Sequence, residues 1–395
     1  PDTMEGIMDV ARKAALVQKW GGGVGYVFSA LRPRGANVDS THGKACGPVA
    51  VMRLYNELAK MVTQGGKRAG AQMGILHCDH PDIMEFVTCK NRNPESISTF
   101  NISVALTDEF MREIATGKPT IVRDEIWREM GVGAWKTGDP GCYFIDAAER
   151  ANPTPWLGKL TGTNPCGEIV LKSKQFCNLT EVVARAEDTK ESLLKKVRLA
   201  TMLGTYQSSL TDFKYLSAEW KKNCEEERLL GVSVTGQWDS PAARDGEVLR
   251  ALRDEAVKVN KEYAARLGIN ASTAITCVKP SGTVSQLVDA SSGLHPRHAK
   301  YYIRRIRISG TDALFAMLKD QKINYYPEVG QPKEGATTYV LEFPVKAPEG
   351  ATLRNDLSAI NQLEHWKLVK ENYTEHNPSV TISVSSDEWI KVGNW

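Results

Sequence analysis

The sequence predicts an α/β fold on the basis of two observations. Short apolar runs of strand-like residues alternate with longer amphipathic stretches of helical periodicity, and this alternation is typical of a parallel or mixed sheet covered by helices. The 395 residues are 42% hydrophobic and 25% charged, which is the composition of an ordinary soluble globular protein that can bury a large core. No internal repeat or low-complexity segment interrupts the pattern.

The first part of the chain shows the alternation clearly. A capping-box-like start at Asp2 and Glu5 predicts a first helix that ends before the glycines at 21–23. The next predicted elements, in chain order, are a strand in GYVFSALRP (25–33), a helix in CGPVAVMRLYNELAKMV (46–62), a strand in AQMGILHCD (71–79), a short helix in HPDIMEFVTCKN (80–91) and a strand in ISTFNISVAL (97–106).

The remainder is predicted with larger helical stretches. Two apolar runs, EIVL (168–171) and QFCNL (175–179), flank the polar turn KSK. Residues 188–270 are predicted to be largely helical, with 192–207 and 245–268 as the clearest amphipathic segments. We expect further strands in STAITCV (272–278) and YYIRRIRIS (301–309). Surface connections are expected at 344–356 and at DGEVLR (245–250), which leads into the second amphipathic segment.

Composition and charge exclude several classes of protein. The formal net charge of +3 comes from interleaved basic and acidic residues and does not favour a nucleic-acid partner. No apolar run reaches the roughly 18 residues of a membrane span, and the start PDTMEGIMDV has neither region of a signal peptide. We therefore expect a cytoplasmic protein. Both ends, Pro1 and Trp395, look cut, so we expect the chain to be part of a longer polypeptide.

The eight cysteines are too sparse for a disulfide framework, so a special cysteine is expected to be catalytic or metal-bound. The segment TNPCGEIVLKSKQFCNLTEV, residues 163–182, holds the best candidate. If NPCGE were a straight strand, Asn164 and Glu168 would lie about 13 Å apart, too far to contact one ligand. Pro165 and Gly167 favour a tight loop instead.

In such a loop Cys166 is suited to one-electron or nucleophilic chemistry, Glu168 can take or return a proton, and Asn164 can orient a hydroxyl group. The KSK turn would fold Cys177 back beside Cys166, and a thiol with a partner cysteine can supply two electrons by closing a disulfide. The alternative is that both cysteines are inert, small apolar residues of a hairpin.

TNPCGE followed by FCNLTEV resembles the active-site segment of the ribonucleotide reductase catalytic subunit. The resemblance continues in the same order through MEGIMDVARKAALVQKWGGGVGYVFSALRPRGA, QGGKRAGAQMGIL, HPDIMEFV, KTGDPGCYFID and KPSGTVSQL. It implies that residues 1–395 form one ten-stranded α/β barrel domain with a central active-site loop, incomplete at both ends. It also implies an enzyme that reduces ribonucleotides to deoxyribonucleotides by radical chemistry.

The resemblance implies a role for each residue of the loop. Cys166 would carry the thiyl radical that takes hydrogen from C3′, Glu168 would be the base at the 3′ hydroxyl, and Asn164 would hydrogen-bond at the 2′ and 3′ side. Cys177 would be one of the two reducing thiols. The family's other reducing cysteine would fall upstream of Pro1, and its terminal cysteine pair and tyrosine relay would lie beyond Trp395. Cys46 could replace the missing thiol, but packing at a helix start explains a small residue there.

Two further regions are implied to contact nucleotides. In KPSGTVS (279–285), backbone amides at a helix start could bind a substrate phosphate, although alone the motif is only a strand-to-turn signal. The residues concerned are Pro280, Ser281, Gly282, Thr283 and Ser285. The loops QGGKRAG and CKNRNPESIS would link an effector site to base recognition through Lys67, Arg68, Lys90 and Arg92, for which solvated charges are the ordinary explanation.

The implied cofactor is adenosylcobalamin, because KPSGTVSQL, GLHP and YYIRR look closest to the cobalamin-dependent ribonucleoside triphosphate reductases. The alternative is a radical supplied by a separate metal-containing subunit. The implied partners are a ribonucleotide substrate, a nucleotide effector and thioredoxin or a similar dithiol, with the protein a monomer or homodimer. A catalytically silent nucleotide-binding homologue and a plain thiol–disulfide oxidoreductase remain open, although no C-x-x-C supports the latter.

Other motifs are interpreted without a ligand. GGGVG (21–25) follows a helix and does not match a dinucleotide-binding fingerprint, so its glycines are expected to allow close backbone approach beside the active site. The spacing of His77, Cys78, His80 and Cys89 fits no common zinc site, and we expect no metal. The arginines of YYIRRIRIS are expected to be solvated or ion-paired.

Overall fold

The computed structural model describes residues 2–40, 42–64, 68–92, 97–328, 331–332 and 334–395, and for 63, 64, 68, 69 and 92 the backbone alone. The helices are α1 Met4–Lys19, α2 Pro48–Met61, α3 Ile83–Arg92, α4 Asp108–Ala115, α5 Ile121–Thr137, α6 Ile145–Arg150, α7 Lys190–Ser208, α8 Ala218–Glu227, α9 Gly246–Leu267, α10 Gly282–Leu287, α11 Ala313–Asp320, α12 Ala359–Asn372 and α13 Trp389–Asn394.

The strands are mostly short. They are β1 Val24–Val27, β2 Asn37–Val38, β3 Gly43–Lys44, β4 Thr63–Gln64, β5 Arg68–Ala69, β6 Gln72–His77, β7 Phe100–Leu106, β8 Gly141–Phe144, β9 Gly162–Thr163, β10 Val170–Leu171, β11 Asn178–Val183, β12 Leu230–Thr235, β13 Tyr301–Ser309, β14 Tyr325–Pro327 and β15 Thr338–Lys346.

Two parallel sheets form the framework of the fold. The first has the strand order β1-β6-β7-β8, with Val24 opposite Gln72 and Gln72 opposite Phe100. In the second, β11 pairs with β12, and single parallel bridges join Val232 to Thr276 and Val278 to Pro378. Because connections between parallel strands need long crossovers, helices lie between successive strands and cover them. The predicted α/β class is confirmed.

Each parallel sheet packs its helices over a separate apolar core. The first core joins β6 and β7 to helices α2 to α5, with Phe86, Phe100 and Phe110 among its fully buried side chains. The second joins β11 and β12 to α7, α9 and α12, and its largest buried side chain is Tyr373. A third, antiparallel sheet of order β13-β15-β14 has its own small cluster around Phe315.

Between the two parallel sheets lies a hairpin whose arms are β9 and β10, paired antiparallel with Val170 opposite Thr163. Its turn, residues 164–169, contacts segments of both halves of the chain, and these contacts are described below. The fold therefore places the predicted central loop between the two halves of the framework. Within the described part of the chain, no helix has the combined length and apolarity that crossing a bilayer requires.

Residues 188–270 are largely helical as predicted, through α7, α8 and α9. Strand β12, whose six residues are all buried, was missed in this stretch, because a short apolar run of this kind resembles a buried helix segment in sequence. Three other local predictions were wrong or wrong in part. Residues 272–278 are held by isolated bridges rather than in a regular strand. The supposed connection at 344–356 begins inside β15, and the one at 245–250 lies mostly within α9.

Candidate active site

The turn between β9 and β10 curls as the sequence predicted. The backbone N–H of Asn164 donates to the carbonyl of Ile169 at 3.1 Å, and the N–H of Gly167 donates to the carbonyl of Asn164 at 3.1 Å. Gly167 has a φ of +80°, in the left-handed region that glycine adopts without strain. Residues 164 and 168 are thereby folded onto the same side of the turn.

Asn164 and Glu168 are in direct contact. The Asn164 side chain donates from Nδ2 to Oε1 of Glu168 at 2.7 Å, and its Oδ1 accepts the backbone N–H of Ile169 at 3.1 Å. Glu168 is 0% exposed. The amide is therefore fixed at both ends, and it holds one oxygen of a wholly buried carboxyl group.

Lys279 brings a positive charge to this turn from another part of the chain. Its Nζ lies 3.6 Å from Sγ of Cys166 and 3.3 Å from Oε1 of Glu168. Burial lowers the pKa of Lys279, but the negative charges of Glu168 and Cys166 outweigh this effect and hold its pKa above the ordinary value. Sequence reasoning missed Lys279 as a site residue, because nothing local relates it to a loop more than 100 positions earlier.

The first sheet supports the turn through glycines. A Cβ on Gly25 would lie 1.9 Å from the carbonyl oxygen of Thr163, and a Cβ on Gly23 would lie 2.5 Å from Cγ of Pro165. Asn101 of β7 also donates from Nδ2 to the carbonyl of Pro165 at 2.7 Å. The expected close approach at the glycines of GGGVG is confirmed, and it is made to the turn that carries Cys166.

The second half of the chain holds the other side of the turn. Ser379 donates from Oγ to the carbonyl of Cys166 at 2.6 Å. The backbone N–H of Asn377 donates to the carbonyl of Glu168 at 2.9 Å, and its Nδ2 donates to the carbonyl of Gly167 at 3.4 Å. Both residues were missed in the sequence, where a polar pair in a stretch without regular periodicity gives no signal.

Cys177 follows a turn that a buried ion pair anchors. Nζ of Lys172 lies 2.7 Å from Oε1 of Glu227, and Gln175 hydrogen-bonds to the same carboxyl group. Burial raises the pKa of the Cys177 thiol well above its ordinary value, and the nearby charge of Glu168 raises it further. The charge of Glu168 therefore acts on Cys177, while the position of Cys177 beside Cys166 stays a prediction.

Glu181 of β11 is an acid that sequence reasoning did not single out. It accepts a hydrogen bond from Oγ of Ser233 at 2.8 Å, and that Oγ accepts the backbone N–H of Lys279 at 2.9 Å. Burial raises the pKa of Glu181 to about 7, although hydrogen bonds from Ser233 and Ser281 oppose the shift. Glu181 thus fixes the backbone from which the Lys279 side chain projects.

The motif KPSGTVS bends directly after Lys279 and enters α10. The N–H of Ser281 donates to the carbonyl of Lys279 at 2.8 Å, and Ser281 and Ser285 are buried. Gly282 and Thr283 are exposed in the first turn of α10, where backbone N–H groups lack helical partners. Contact of Pro280, Ser281, Gly282, Thr283 and Ser285 with a phosphate stays a prediction, and Ser285 is turned inward to hydrogen-bond with the Ser281 carbonyl.

The predicted effector-loop residues are less informative. Lys67 and the side chains of Arg68 and Arg92 lie outside the described residues. Lys90 donates from Nζ to Oδ2 of Asp139 at 2.6 Å and to the carbonyl of Phe100 at 2.5 Å. Its ammonium group therefore has structural partners, and its contact with a nucleotide stays a prediction.

The remaining sequence candidates are Cys46, the histidine and cysteine cluster near His77, and the arginines of β13. Cys46 is exposed, so the packing explanation offered for it was wrong. His77, Cys78 and Asp79 offer ligand atoms within 4.8 Å of one another, but both ring nitrogens of His80 are engaged with backbone groups. On β13, Arg305 and Arg307 pair with Glu342 and Glu328 at 2.8 and 2.6 Å, which confirms the ion-paired interpretation.

The family profile described as "Ribonucleotide reductase, barrel domain" matches residues 1–124 and 114–271. The chain is 32% identical over 361 residues to a vitamin B12-dependent ribonucleoside-diphosphate reductase of Thermoplasma acidophilum, covering 79% of this chain and 46% of that protein. A vitamin B12-dependent ribonucleoside-diphosphate reductase of Mycobacterium tuberculosis is also 32% identical, and the match covers 77% of this chain and 50% of that protein. An adenosylcobalamin-dependent ribonucleoside-triphosphate reductase of Lactobacillus gasseri is 26% identical, and the match covers 91% of this chain and 54% of that protein.

Two solved structures share the fold. A B-12 dependent (class II) ribonucleotide reductase superposes with a TM-score of 0.63 at 22% identity, covering 92% of this chain and 56% of its own. The alpha subunit of a class Id ribonucleotide reductase from Actinobacillus ureae superposes with a TM-score of 0.62 at 19% identity. The match covers 81% of this chain and 64% of that subunit. The predicted barrel architecture is thereby confirmed, and the chain spans about half the length of the curated relatives it matches.

Proposed function

The chain belongs to the family of ribonucleotide reductase barrel domains, and from this premise we propose that it is the catalytic part of an enzyme that reduces ribonucleotides to 2′-deoxyribonucleotides. The observation that carries the proposal is the turn at 164–168, which brings an amide, a thiol and a buried acid together beside the ammonium group of Lys279.

Each group of the turn has a step suited to its chemistry. A thiyl radical on Cys166 takes the hydrogen atom from C3′ of the ribose, which re-forms the S–H bond and leaves a carbon radical. Glu168 takes the proton of the 3′ hydroxyl, and Asn164 orients the hydroxyl groups. The 2′ hydroxyl then leaves as water after it gains a proton. Cys166 finally returns its hydrogen atom to C3′.

The reduction needs two electrons, which Cys177 and a second thiol supply by closing a disulfide. Of the two thiol hydrogens, one protonates the departing 2′ hydroxyl group and the other is transferred to C2′, so that the products are water, the 2′-deoxyribose and the disulfide. The raised pKa of Cys177 keeps it as a thiol, which carries its own proton, until it reacts. We propose thioredoxin or a similar dithiol as the reductant that reopens the disulfide after each turnover.

The proposed cofactor is adenosylcobalamin, which the printed names of several relatives include. Cys166 fits such a partner, because it is half-buried at the bend of the turn and its backbone is fixed by Ser379. When bound, the cofactor would supply the radical chemistry that oxidises the Cys166 thiol. A separate metal-containing radical subunit is the alternative source.

Substrate, effector and cellular setting are further parts of the proposal. The exposed first turn of α10, at Gly282 and Thr283, is proposed to bind the substrate phosphates. The loops that contain Lys67, Arg68, Lys90 and Arg92 are proposed to relay binding of a nucleotide effector. We propose a cytoplasmic enzyme that acts as a monomer or homodimer and takes a ribonucleoside triphosphate, with the diphosphate as the alternative substrate.

The test is formation of deoxyribonucleotide in a form of the protein that spans the full length of its relatives. It is incubated with adenosylcobalamin, a dithiol and each ribonucleoside di- or triphosphate in turn. We expect product from the wild type and from Cys142→Ser, the matched control at an exposed thiol, and none from Cys166→Ser. Equal product from Cys166→Ser and the wild type would contradict the assignment of the radical thiol, and no product with any substrate would favour the silent homologue.

A plain thiol–disulfide oxidoreductase is less well supported. Exchange proceeds through a thiolate, and a lowered thiol pKa is the usual mark of such enzymes. The pKa of Cys177 is instead raised. Disulfide exchange at Cys177 without nucleotide should therefore be slow, which a standard insulin-reduction assay measures.

A further inference from the structure

The two oxygens of Glu168 have different surroundings. Oε1 accepts from Asn164 at 2.7 Å and lies 3.3 Å from Nζ of Lys279. Oε2 is buried and has no hydrogen-bond partner among the described residues. Buried polar atoms are nearly always paired in folded proteins, so an unpaired carboxyl oxygen points to a group that arrives later. One oxygen is thus held by the protein and the other is available for a ligand.

The buried position of Glu168 makes its negative charge costly. An ionised carboxyl group that loses contact with water is stable only when a positive charge or several hydrogen bonds compensate it. Among the ion pairs of the described residues, the partner of Glu168 is Lys279. Asn164 contributes one hydrogen bond but no charge.

The Lys279 backbone is held in place independently of the Lys279–Glu168 contact. Its N–H donates to Ser233 and its carbonyl accepts from Ser281. The Lys279 side chain is 31% exposed, so it is not sealed in the interior as Glu168 is. The titratable groups that interact with it come from three segments packed around it: Cys166 and Glu168 of the turn, Cys177 and Glu181 before and within β11, and Cys277 two residues upstream.

We propose that Lys279 is a positioning residue that keeps Glu168 ionised and its Oε1 engaged, so that Oε2 is presented to the substrate hydroxyl next to Cys166. This role rests on the proposed function and deepens it. Lys279 keeps its proton throughout, and the proton of the 3′ hydroxyl moves to Glu168 and back. The same ammonium group, 3.6 Å from Sγ, also stabilises negative charge on Cys166.

The variants Lys279→Met and Lys279→Arg separate charge from bulk. Methionine keeps much of the length and removes the charge, whereas arginine keeps the charge. Lys258→Met is the matched control, because Lys258 is a 72% exposed lysine of α9 whose ion pair, with Glu255 at 3.6 Å, lies on the surface of the same helix. Circular dichroism and urea unfolding establish that each variant is folded.

The first readout needs neither nucleotide nor cofactor. Alkylation of Cys166 by iodoacetamide is followed by mass spectrometry of its peptide between pH 6 and pH 9. Alkylation at pH 7 in Lys279→Met should be about tenfold slower, because the reacting thiolate loses the ammonium group that lies 3.6 Å from Sγ. Lys279→Arg and Lys258→Met should react as the wild type does. Equal rates in Lys279→Met and the wild type would overturn the proposal.

The second readout is the pH dependence of deoxyribonucleotide formation in the full-length enzyme. In Lys279→Met the acidic limb of the profile should move to higher pH, with kcat lowered by about tenfold or more near neutral pH, and Lys279→Arg should restore most of both. An unchanged profile with a uniformly lower rate would indicate a merely structural role and refute the proposal. If the wild type forms no product, the proposed function fails, while the alkylation assay still decides the role of Lys279.

Discussion

Replacement of Gly25 by alanine tests whether the active-site turn rests on β1. The added Cβ would lie 1.9 Å from the carbonyl oxygen of Thr163 and 3.1 Å from its carbonyl carbon. Ordinary contact begins near 3.5 Å, so the two backbones must separate by roughly 1.5 Å. No rotamer change can relieve the contact, because both partners are main chain. Overpacking of this kind costs about 1–3 kcal/mol, and we expect the upper part of that range.

The assay is urea unfolding followed by circular dichroism, with Gly131→Ala as the matched control. Gly131 lies in α5, where an added Cβ would meet no atom within 4 Å, so alanine should stabilise that variant by about 0.5–1 kcal/mol. Alkylation of Cys166 should also change in Gly25→Ala, because the displaced hairpin carries the thiol. If Gly25→Ala unfolds at the same or a higher urea concentration than the wild type, the turn does not rest on β1 as described.

Three further predictions concern stability. Asn164→Ala removes a hydrogen bond to a charged group and one to the Ile169 N–H, so it should lower the free energy of unfolding by about 2–4 kcal/mol, and an unchanged urea midpoint would contradict this. Lys172→Met leaves the buried Glu227 without its partner and should cost about 3–5 kcal/mol, whereas the double variant with Glu227→Met should recover most of the loss. Glu181 has a folded pKa of about 7, above its unfolded value, so the folded state binds the extra proton and this group makes stability fall as pH rises from 4.5 to 7. Glu181→Gln should remove that part of the pH dependence in urea titrations, and an unaltered slope would refute the assignment.

Local residue chemistry explains why much of the site could be predicted from the sequence. The bend at 164–168 followed from Pro165 and Gly167, since only a curled backbone lets Asn164 and Glu168 share a ligand. The observed bond of 2.7 Å between those two side chains is the direct consequence. A close approach at Gly23 and Gly25 was likewise expected, because a residue without a Cβ lets another segment of the chain pack against it, although the sequence did not show which segment would do so.

Long-range contacts could not be predicted in this way. Lys279 lies 113 positions from Cys166, and Ser379 lies 213 positions from it. Lys279 opens the KPSGTVS motif, but nothing in that motif relates it to the turn, and Ser379 has no local pattern at all, because both contacts exist only when the second half of the chain folds against the turn. Strand β12 was missed for a different reason. Its residues are buried on both faces, so it lacks the alternation that identifies a half-exposed strand.

The position of Lys279 also connects two parts of the site that the sequence treats separately. Its side chain holds Glu168, while its carbonyl accepts the N–H of Ser281 at the entrance to α10. Any ligand phosphate that binds the first turn of α10 acts on a segment only three or four residues from the ammonium group. Small displacements there change the distance from Nζ to Oε1, which is already 3.3 Å and near the outer limit for a strong charged hydrogen bond. The predicted phosphate contact and the carboxyl group of Glu168 are therefore joined by one short stretch of backbone.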